Sequence, residues 1–467
     1  MANTKLPDGP QQPRLLQLIQ WIADPLSYLD ACAKRYGDAF TLRLATFEPI
    51  VFLSDPKAIQ EIFTADAKQF DSGRTNGIVR PLVGEHSLLL LDGTHHQRQR
   101  RLLMPPFHGE RMHSYSQIIC ESAKQVPSQW TIGEPFEVRA AMQDITLEVI
   151  LHAVFGLREG ERYQQLKPLL AAMLNLTDSP LSSSLLFFKF LQQDLGAWSP
   201  WGRMMRRRQQ IYDLLQAEIN ERRKQPELTG NDVLSLIMSA RDENGQPMTD
   251  AELQDELMTL LVAGHETTAT ALAWAFYWIH TLPLVREKLL SELDSLGDDP
   301  EPMAIAKLPY LSAVCSETLR IYPIVPFAFL RVPNSAVQIM QHHFDANTKL
   351  AACIYLTHHR EDLYPEPNQF KPERFIERQF SPYEYLPFGG GNRRCIGLAL
   401  AQLEMKLVLA TILSKYQLAL TDSNPVKPQR RGLTIAPTGG IRMVLQGRRY
   451  SKEQTSQKTI SSVSTTP

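Results

Sequence analysis

Most of the chain repeats its apolar positions on a helical period, with two-residue alternation confined to short runs. Residues 267–285 carry 19 positions without Asp, Glu, Lys or Arg. Length alone permits a membrane span there. The pattern continues upstream into Glu266, His265, Glu256, Asp255 and Glu252, which predicts a long buried helix starting near Thr249. Residues 15–23 are partly apolar, but Gln interrupts them and they are too short to span. No signal-peptide order precedes them, so no transmembrane segment is expected.

The remaining elements follow the same reading. Residues 1–13 are rich in Pro and polar residues and predict an extended arm; 41–44 and 50–53 predict short strands. Asp55 then Pro56 opens a helix through Phe63. A Gly-rich loop covers 71–94, and helical patterns dominate 95–294, interrupted at 177–203. Runs of β type recur between 332 and 353, a turn-rich zone covers 364–397, and a helix without Gly or Pro fills 398–416. The last 17 residues contain nine Ser or Thr and predict a disordered tail. No repeat or long linker divides the chain. The expectation is a mainly α fold with a minor β portion (α+β): one domain over 1–447, followed by a tail at 448–467.

Composition narrows the function. The chain has 467 residues, 43% hydrophobic and 21% charged, which is ordinary globular usage. Its formal net charge is −1, so a nucleic-acid partner is not expected. Five widely spaced cysteines form no disulfide framework and suit a reducing compartment, which predicts a cytoplasmic location.

One cysteine stands apart. Residues 388–397 read Phe-Gly-Gly-Gly-Asn-Arg-Arg-Cys-Ile-Gly. The glycines Gly389 to Gly391 let the backbone pass close to a flat, bulky object. Cys395 lies just before a helix, where the positive dipole end and Arg393 and Arg394 favour thiolate. A dinucleotide loop fails because position 394 is Arg, no phosphate-loop Gly-Lys-Ser/Thr is present, and no second Cys or His clusters nearby for zinc. A lone thiolate suits a metal whose other ligands come from a macrocycle, and haem is the obvious case. A second feature is Ala263-Gly264-His265-Glu266-Thr267-Thr268 inside the long helix. Polar groups and Gly there are locally costly, and such violations tend to mark function. Thr267 can bond the Ala263 carbonyl four residues earlier and distort the helix, opening room for a small ligand. A zinc protease motif is excluded because Ala269 stands where its second His would be.

These motifs resemble the haem-thiolate monooxygenases, the cytochromes P450. Their haem loop, Phe-x-x-Gly-x-Arg-x-Cys-x-Gly, is matched at Phe388, Gly391, Arg393, Cys395 and Gly397. Residues 263–268 resemble the family's Ala/Gly-Gly-x-Asp/Glu-Thr-Thr segment. Glu317-x-x-Arg320 followed by Pro372-Glu373-Arg374-Phe375 shows the family's order. The resemblance implies haem b, held between the long oxygen-binding helix and the helix after the cysteine loop. It implies Cys395 as axial iron ligand, with Phe388 tuning the iron's potential and Gly389, Gly391 and Gly397 shaping the loop. Arg393, His96 (or His95 in another register), Arg100 and Arg331 become propionate partners. Ala263 and Gly264 border the oxygen pocket, and Glu266 and Thr267 form the acid–alcohol pair that relays protons. His265 sits at a variable position and receives no role. Glu317, Arg320 and Arg374 form a buried structural network.

The implied reaction places one atom of dioxygen into a C–H bond of a hydrophobic substrate: a fatty acid, alkane, terpenoid or steroid-like molecule. The apolar runs 88–91, 185–191 and 326–329 point to such a substrate. Electrons are expected from a ferredoxin or flavodoxin with its reductase, received on a solvated basic patch including Arg98 and Arg101. Arg43, Arg74 and Arg80 are candidate carboxylate anchors or plain surface charges. Residues 198–208 mix aromatics with arginine and could touch a membrane surface or form a solvated turn. The overall look resembles bacterial, especially cyanobacterial, members. Alternatives are a haem-thiolate enzyme that uses or rearranges peroxide, and a non-catalytic haem sensor.

Overall fold

The computed structural model describes residues 5–45, 47–174, 191–224 and 230–449. Eight of its helices position the site: α1 (Pro56–Thr64), α2 (Gly93–Leu103), α3 (Arg111–Gln125), α4 (Val138–Ala153), α5 (Pro200–Lys224), α6 (Asp250–Thr281), α7 (Pro309–Ile321) and α8 (Leu398–Lys415). The long helix α6 is the axis of the molecule. Thr249 and Glu252 close a reciprocal capping box at its start, satisfying two otherwise orphaned backbone donors. From Ala269 to Phe276 every residue is buried, and all but Thr270 are apolar, because this part runs through the core rather than along a surface. Helix α4 packs along one side of α6; α8 packs against α3 and α6, and α7 lies against α6 and α8.

The β portion is small and split. Strand β1 (Ala39–Leu42) runs antiparallel to β2 (Ile50–Leu53), which pairs in parallel with β3 (Lys349–Ala352). Strand pairing therefore ties residues 50–53 to residues 349–352, far apart in sequence. Strand Arg442–Arg448 joins Pro135–Glu137 and Tyr416–Leu420 in a second sheet.

Three boundaries differ from the sequence reading. The first strand lies two residues earlier than expected, because Thr41 also takes the arm: its N–H bonds the Asp8 carbonyl and its hydroxyl the Pro7 carbonyl. The last of the β-type runs ends at Ala352, one residue short of the expected limit at 353. Cys353 donates to the Leu53 carbonyl, closing the sheet, and Ile354–His358 turns into a short helix. The C-terminal strands 416–448 were not foreseen. Of the predicted interruption at 177–203, residues 175–190 lie outside the described residues, with most of the apolar run 185–191; helix α5 then begins at Pro200. The tail from residue 450 also lies outside them. No described helix is long and apolar enough to cross a membrane.

Candidate active site

The cysteine loop is closed by its own backbone: Cys395 N–H donates to the Phe388 carbonyl at 3.0 Å, and α8 begins three residues later behind Gly397. Gly389 and Gly391 both hold φ +64, a conformation that favours glycine. The flat object that the glycines approach is first of all a protein ring. A Cβ on Gly390 would lie 2.1 Å from the ring of Phe63, near the end of α1, and one on Gly391 would lie 2.5 Å from the Phe63 carbonyl oxygen.

Cys395 has two properties that are hard to combine on an outer surface. Burial pushes its thiol up, against the pull of the Gly397 N–H, Arg100 and Arg394, yet the residue retains open surface. A deep residue with open surface lines an interior void. Ala263 behaves the same way on α6: it is exposed although Leu260 and Leu261 beside it are buried. Gly264 does not share that face. It lies against α4, where a Cβ would meet Ile150 Cδ1 at 3.4 Å, so its glycine serves close helix packing.

Around this region the buried charges are predominantly positive. His96 and Arg331 are 2% and 4% exposed. Burial, then Arg393, Arg100 and Arg331, push His96 down to about 3, so it is a neutral donor or acceptor. Burial and Arg393 lower Arg331 to about 9, and burial lowers Arg100 as well. Arg331 donates to the Gly390 carbonyl at 3.1 Å and the Phe329 carbonyl at 3.0 Å. Arg393 donates to the Leu91 carbonyl at 2.7 Å and pairs with Asp92. Asp92 was not foreseen. Its carboxylate also accepts from the backbone N–H groups of Ser72, Gly73 and Arg74 at 2.7–2.9 Å, fastening the 71–94 loop to the cysteine loop. Asp92 offsets Arg331 and Arg393, Asp71 adds to the latter, and Arg394 pushes Arg100 further down, so positive charge is in excess here.

On α6, Thr267 donates to the Ala263 carbonyl at 2.6 Å, the bond expected from the spacing. Glu266 turns the other way. It accepts from Arg139 Nη2 and Gln143 Nε2 of α4, each at 2.8 Å, and from the Thr270 hydroxyl at 3.1 Å. The acid and the alcohol are adjacent in sequence but not bonded to each other in this state. Arg139 and Gln143 were missed because only helix packing brings them to Glu266.

Behind the cysteine loop, Arg320 donates to both Glu317 oxygens at 2.7 and 2.8 Å, with both residues fully buried. Arg374 Nε reaches Glu317 at 3.3 Å, and Arg320 and Arg374 spend their other donors on the carbonyls of His358, Pro367, Pro365 and Glu366.

The basic patch is only in part the solvated surface anticipated. Arg98 binds Asp242 at 2.6 Å, Glu252 at 2.9 Å and the Pro247 carbonyl at 3.0 Å, which staples α2 to the start of α6. Arg101 pairs with Glu243 and stays exposed. Arg74 is likewise engaged, by Asp71 at 3.3 Å and Asn347 at 2.8 Å. Within 198–208, Trp198 is 92% exposed, while Arg208 stacks on Tyr212.

A helical fold built on one long interior helix, with a glycine-bounded cysteine before a second helix and surplus cationic groups around it, defines a haem-binding oxidoreductase. The chain belongs to the cytochrome P450 family, whose profile matches residues 7–443. It is a monooxygenase of that family with haem b as cofactor. It is 37% identical over 450 residues to cytochrome P450 135B1 of Mycobacterium tuberculosis, covering 96% of this chain and 93% of that one. It is 32% identical over 445 residues to cytochrome P450 138 of the same organism, covering 95% and 97%. Among solved structures, the retinoic acid-bound cyanobacterial CYP120A1 superposes with a TM-score of 0.81 at 26% identity, covering 94% of this chain and 99% of that one. The cytochrome P450DA heme domain, 24% identical with a TM-score of 0.82 over 95% and 98% of the two chains, shares the fold. The residues present fit haem b: the surplus of buried cationic groups suits its propionates, and the open thiol of Cys395 offers a ligand for its iron.

Proposed function

We propose that Cys395 would hold the haem iron as its thiolate ligand and that His96, Arg100, Arg331 and Arg393 would hold its propionates. Phe388, Gly389, Gly391 and Gly397 shape the loop, Ala263 and Gly264 belong to the oxygen-binding stretch of α6, and Glu317, Arg320 and Arg374 brace the loop from behind. The whole of 1–447 works as one domain in the cytoplasm. When bound, the haem supplies activation of dioxygen at its iron. The observation that carries the reading is the open yet deeply placed Cys395 beside an excess of buried cationic groups.

In this reading each chain residue has a limited task. Arg331 and Arg393 would orient the cofactor; Arg393 fastens the 71–94 loop to the cysteine loop through Asp92, and Arg331 reaches the same loop at the Ser72 hydroxyl. Thr267 holds a hydroxyl on the Ala263 side of α6, where it positions water and passes a proton. Glu266 receives the proton and delivers it toward that hydroxyl. The leucines 88–91 and the segment 326–329 exclude water and favour an apolar substrate. Retinoic acid in the cyanobacterial neighbour, an apolar chain ending in a carboxylic acid, supports the same class: a fatty acid, terpenoid or related hydrophobe. Electrons come from a ferredoxin or flavodoxin with its reductase.

A spectral-shift panel tests the substrate class. Fatty acids and retinoids should move the Soret band of the ferric protein at micromolar concentration, and the hits should be hydroxylated with a surrogate ferredoxin and reductase. Shifts confined to polar compounds, or turnover supported by peroxide alone, contradict the reading.

A further inference from the structure

A surface cavity of about 360 Å³ lies where the end of α2, the turn Pro105–Phe107, the start of α3 and the short helix Val233–Ser239 meet. Leu102, Pro106 and Leu236 give it apolar walls, and Arg101, Arg111 and Arg241 bring three guanidiniums to it. None of the described residues lining it is Asp or Glu. Arg111 and Arg241 are held by neutral oxygens. Arg111 Nη1 donates to Asn231 Oδ1 at 2.5 Å, and Arg241 Nη1 donates to the Met238 and Ala240 carbonyls at 3.0 and 2.8 Å. Arg101 does have a carboxylate partner, Glu243, in a pair exposed on both sides. Such a pair is weak and readily exchanges its carboxylate for another anion. The next acid in the chain, Asp242, is taken by Arg98. Elsewhere on this chain partly exposed arginines find carboxylates, as Arg162 and Arg223 do. A guanidinium fixed by neutral partners keeps its charge and its remaining N–H donors for an oxyanion. A cavity of this size suits a small organic molecule.

We propose that this cavity binds a small amphiphilic oxyanion, a ring or short chain ending in a phosphate or carboxylate, at a site that shares no residue with those assigned to the haem. Arg111 and Arg241 hold the head group, and Arg101 joins them by turning from Glu243. The apolar body of the ligand covers Leu102, Pro106 and Leu236, surfaces that a fully hydrated ion would leave wet. Both halves of the ligand are therefore required: the arginines select the charge, and the apolar walls select against a bare inorganic anion. The binding is reversible and its head group stays ionised, so it weakens as salt screens the arginines.

The test uses the haem-loaded protein with 4-phenylimidazole filling the haem pocket, so that an added ligand meets only the outer cavity. Isothermal titration with 1-naphthyl phosphate at low salt should show one site with a Kd of about 1 mM or tighter. Inorganic phosphate and 1-naphthol, the two halves of that probe, should each bind at least about tenfold more weakly. Arg111→Gln and Arg241→Gln should each weaken the probe about tenfold, and Arg241→Lys should lose less. Ala240→Trp, which fills the cavity, should abolish binding. All four variants should keep the parent's melting temperature and its spectrum under carbon monoxide. Parent-like binding by both glutamine variants overturns the site. Inorganic phosphate binding as tightly as the probe leaves only an anion patch, and 1-naphthol binding as tightly leaves only an apolar one; either result overturns the proposal. Capture of the protein by phosphatidylglycerol vesicles without binding of the soluble probe would make the partner a lipid surface and overturn it as well.

Discussion

The ring of Phe63 occupies the space that a side chain on Gly390 would need: a Cβ there would stand 2.1 Å from the ring. Gly390 itself has φ −159, so backbone strain plays no part and the requirement is steric. Gly390→Ala should destabilise the protein by about 1–3 kcal/mol through overpacking. Phe63→Leu in the same chain should recover part of that loss. Denaturant unfolding of the two single variants and the double variant measures the coupling; strict additivity would contradict the contact.

Glu317 and Arg320 are fully buried; Arg320 donates to both Glu317 oxygens and to three backbone carbonyls, and Glu317 also accepts from the Lys371 N–H and Arg374. Arg320→Met should strand the Glu317 charge and cost about 3–5 kcal/mol. Arg374→Met should cost less, because Arg374 contributes one longer bond at 3.3 Å and lies closer to solvent. Unfolding midpoints compare the two directly.

Stability should fall as pH rises from about 4.5 to about 8. Burial raises Glu256 on α6 and Glu404 on α8 from 4.5 to about 8. A carboxyl with a raised folded value binds its proton more tightly in the native state. Its contribution is therefore complete below the unfolded value and is lost as pH climbs through the folded one. Glu256→Gln and Glu404→Gln should each flatten the stability profile between pH 5 and 8. A profile as steep as the parent's would contradict the assignment.

Arg98 and Arg101 should separate. Arg98 joins two partly buried acids and a carbonyl across three segments, so Arg98→Met should cost about 1–3 kcal/mol. Arg101 forms an exposed pair, and Arg101→Met should stay within about 1 kcal/mol. Thermal melts decide this; equal losses would contradict the staple.

What could be read from sequence divides along physical lines. The cysteine loop, the Thr267–Ala263 bond and the Glu317–Arg320 pair are short-range spacings, fixed once the local helix or turn is known. Residues joined only by packing were invisible. Arg139 and Gln143 meet Glu266 because α4 lies along α6. Asp92 gains its role only when Arg393 arrives from the far end of the chain. The same blindness made Arg98 look solvated and assigned the glycines to the cofactor alone, when Phe63 already demands two of them. In the fold, the long core helix was legible from its uncharged run, as were the strands near 41–44 and 50–53; the C-terminal strands between 416 and 448 were not, because strands of four to seven residues carry little periodicity.

Cys395 as the thiolate ligand is the assignment on which the proposed chemistry depends. The direct measurement is the absorption spectrum of the dithionite-reduced protein under carbon monoxide, taken for the parent and for Cys395→Ser at matched haem content. The parent should show the strongly red-shifted Soret band of thiolate-ligated haem, and the variant should lose it. A variant that keeps that band would contradict the assignment.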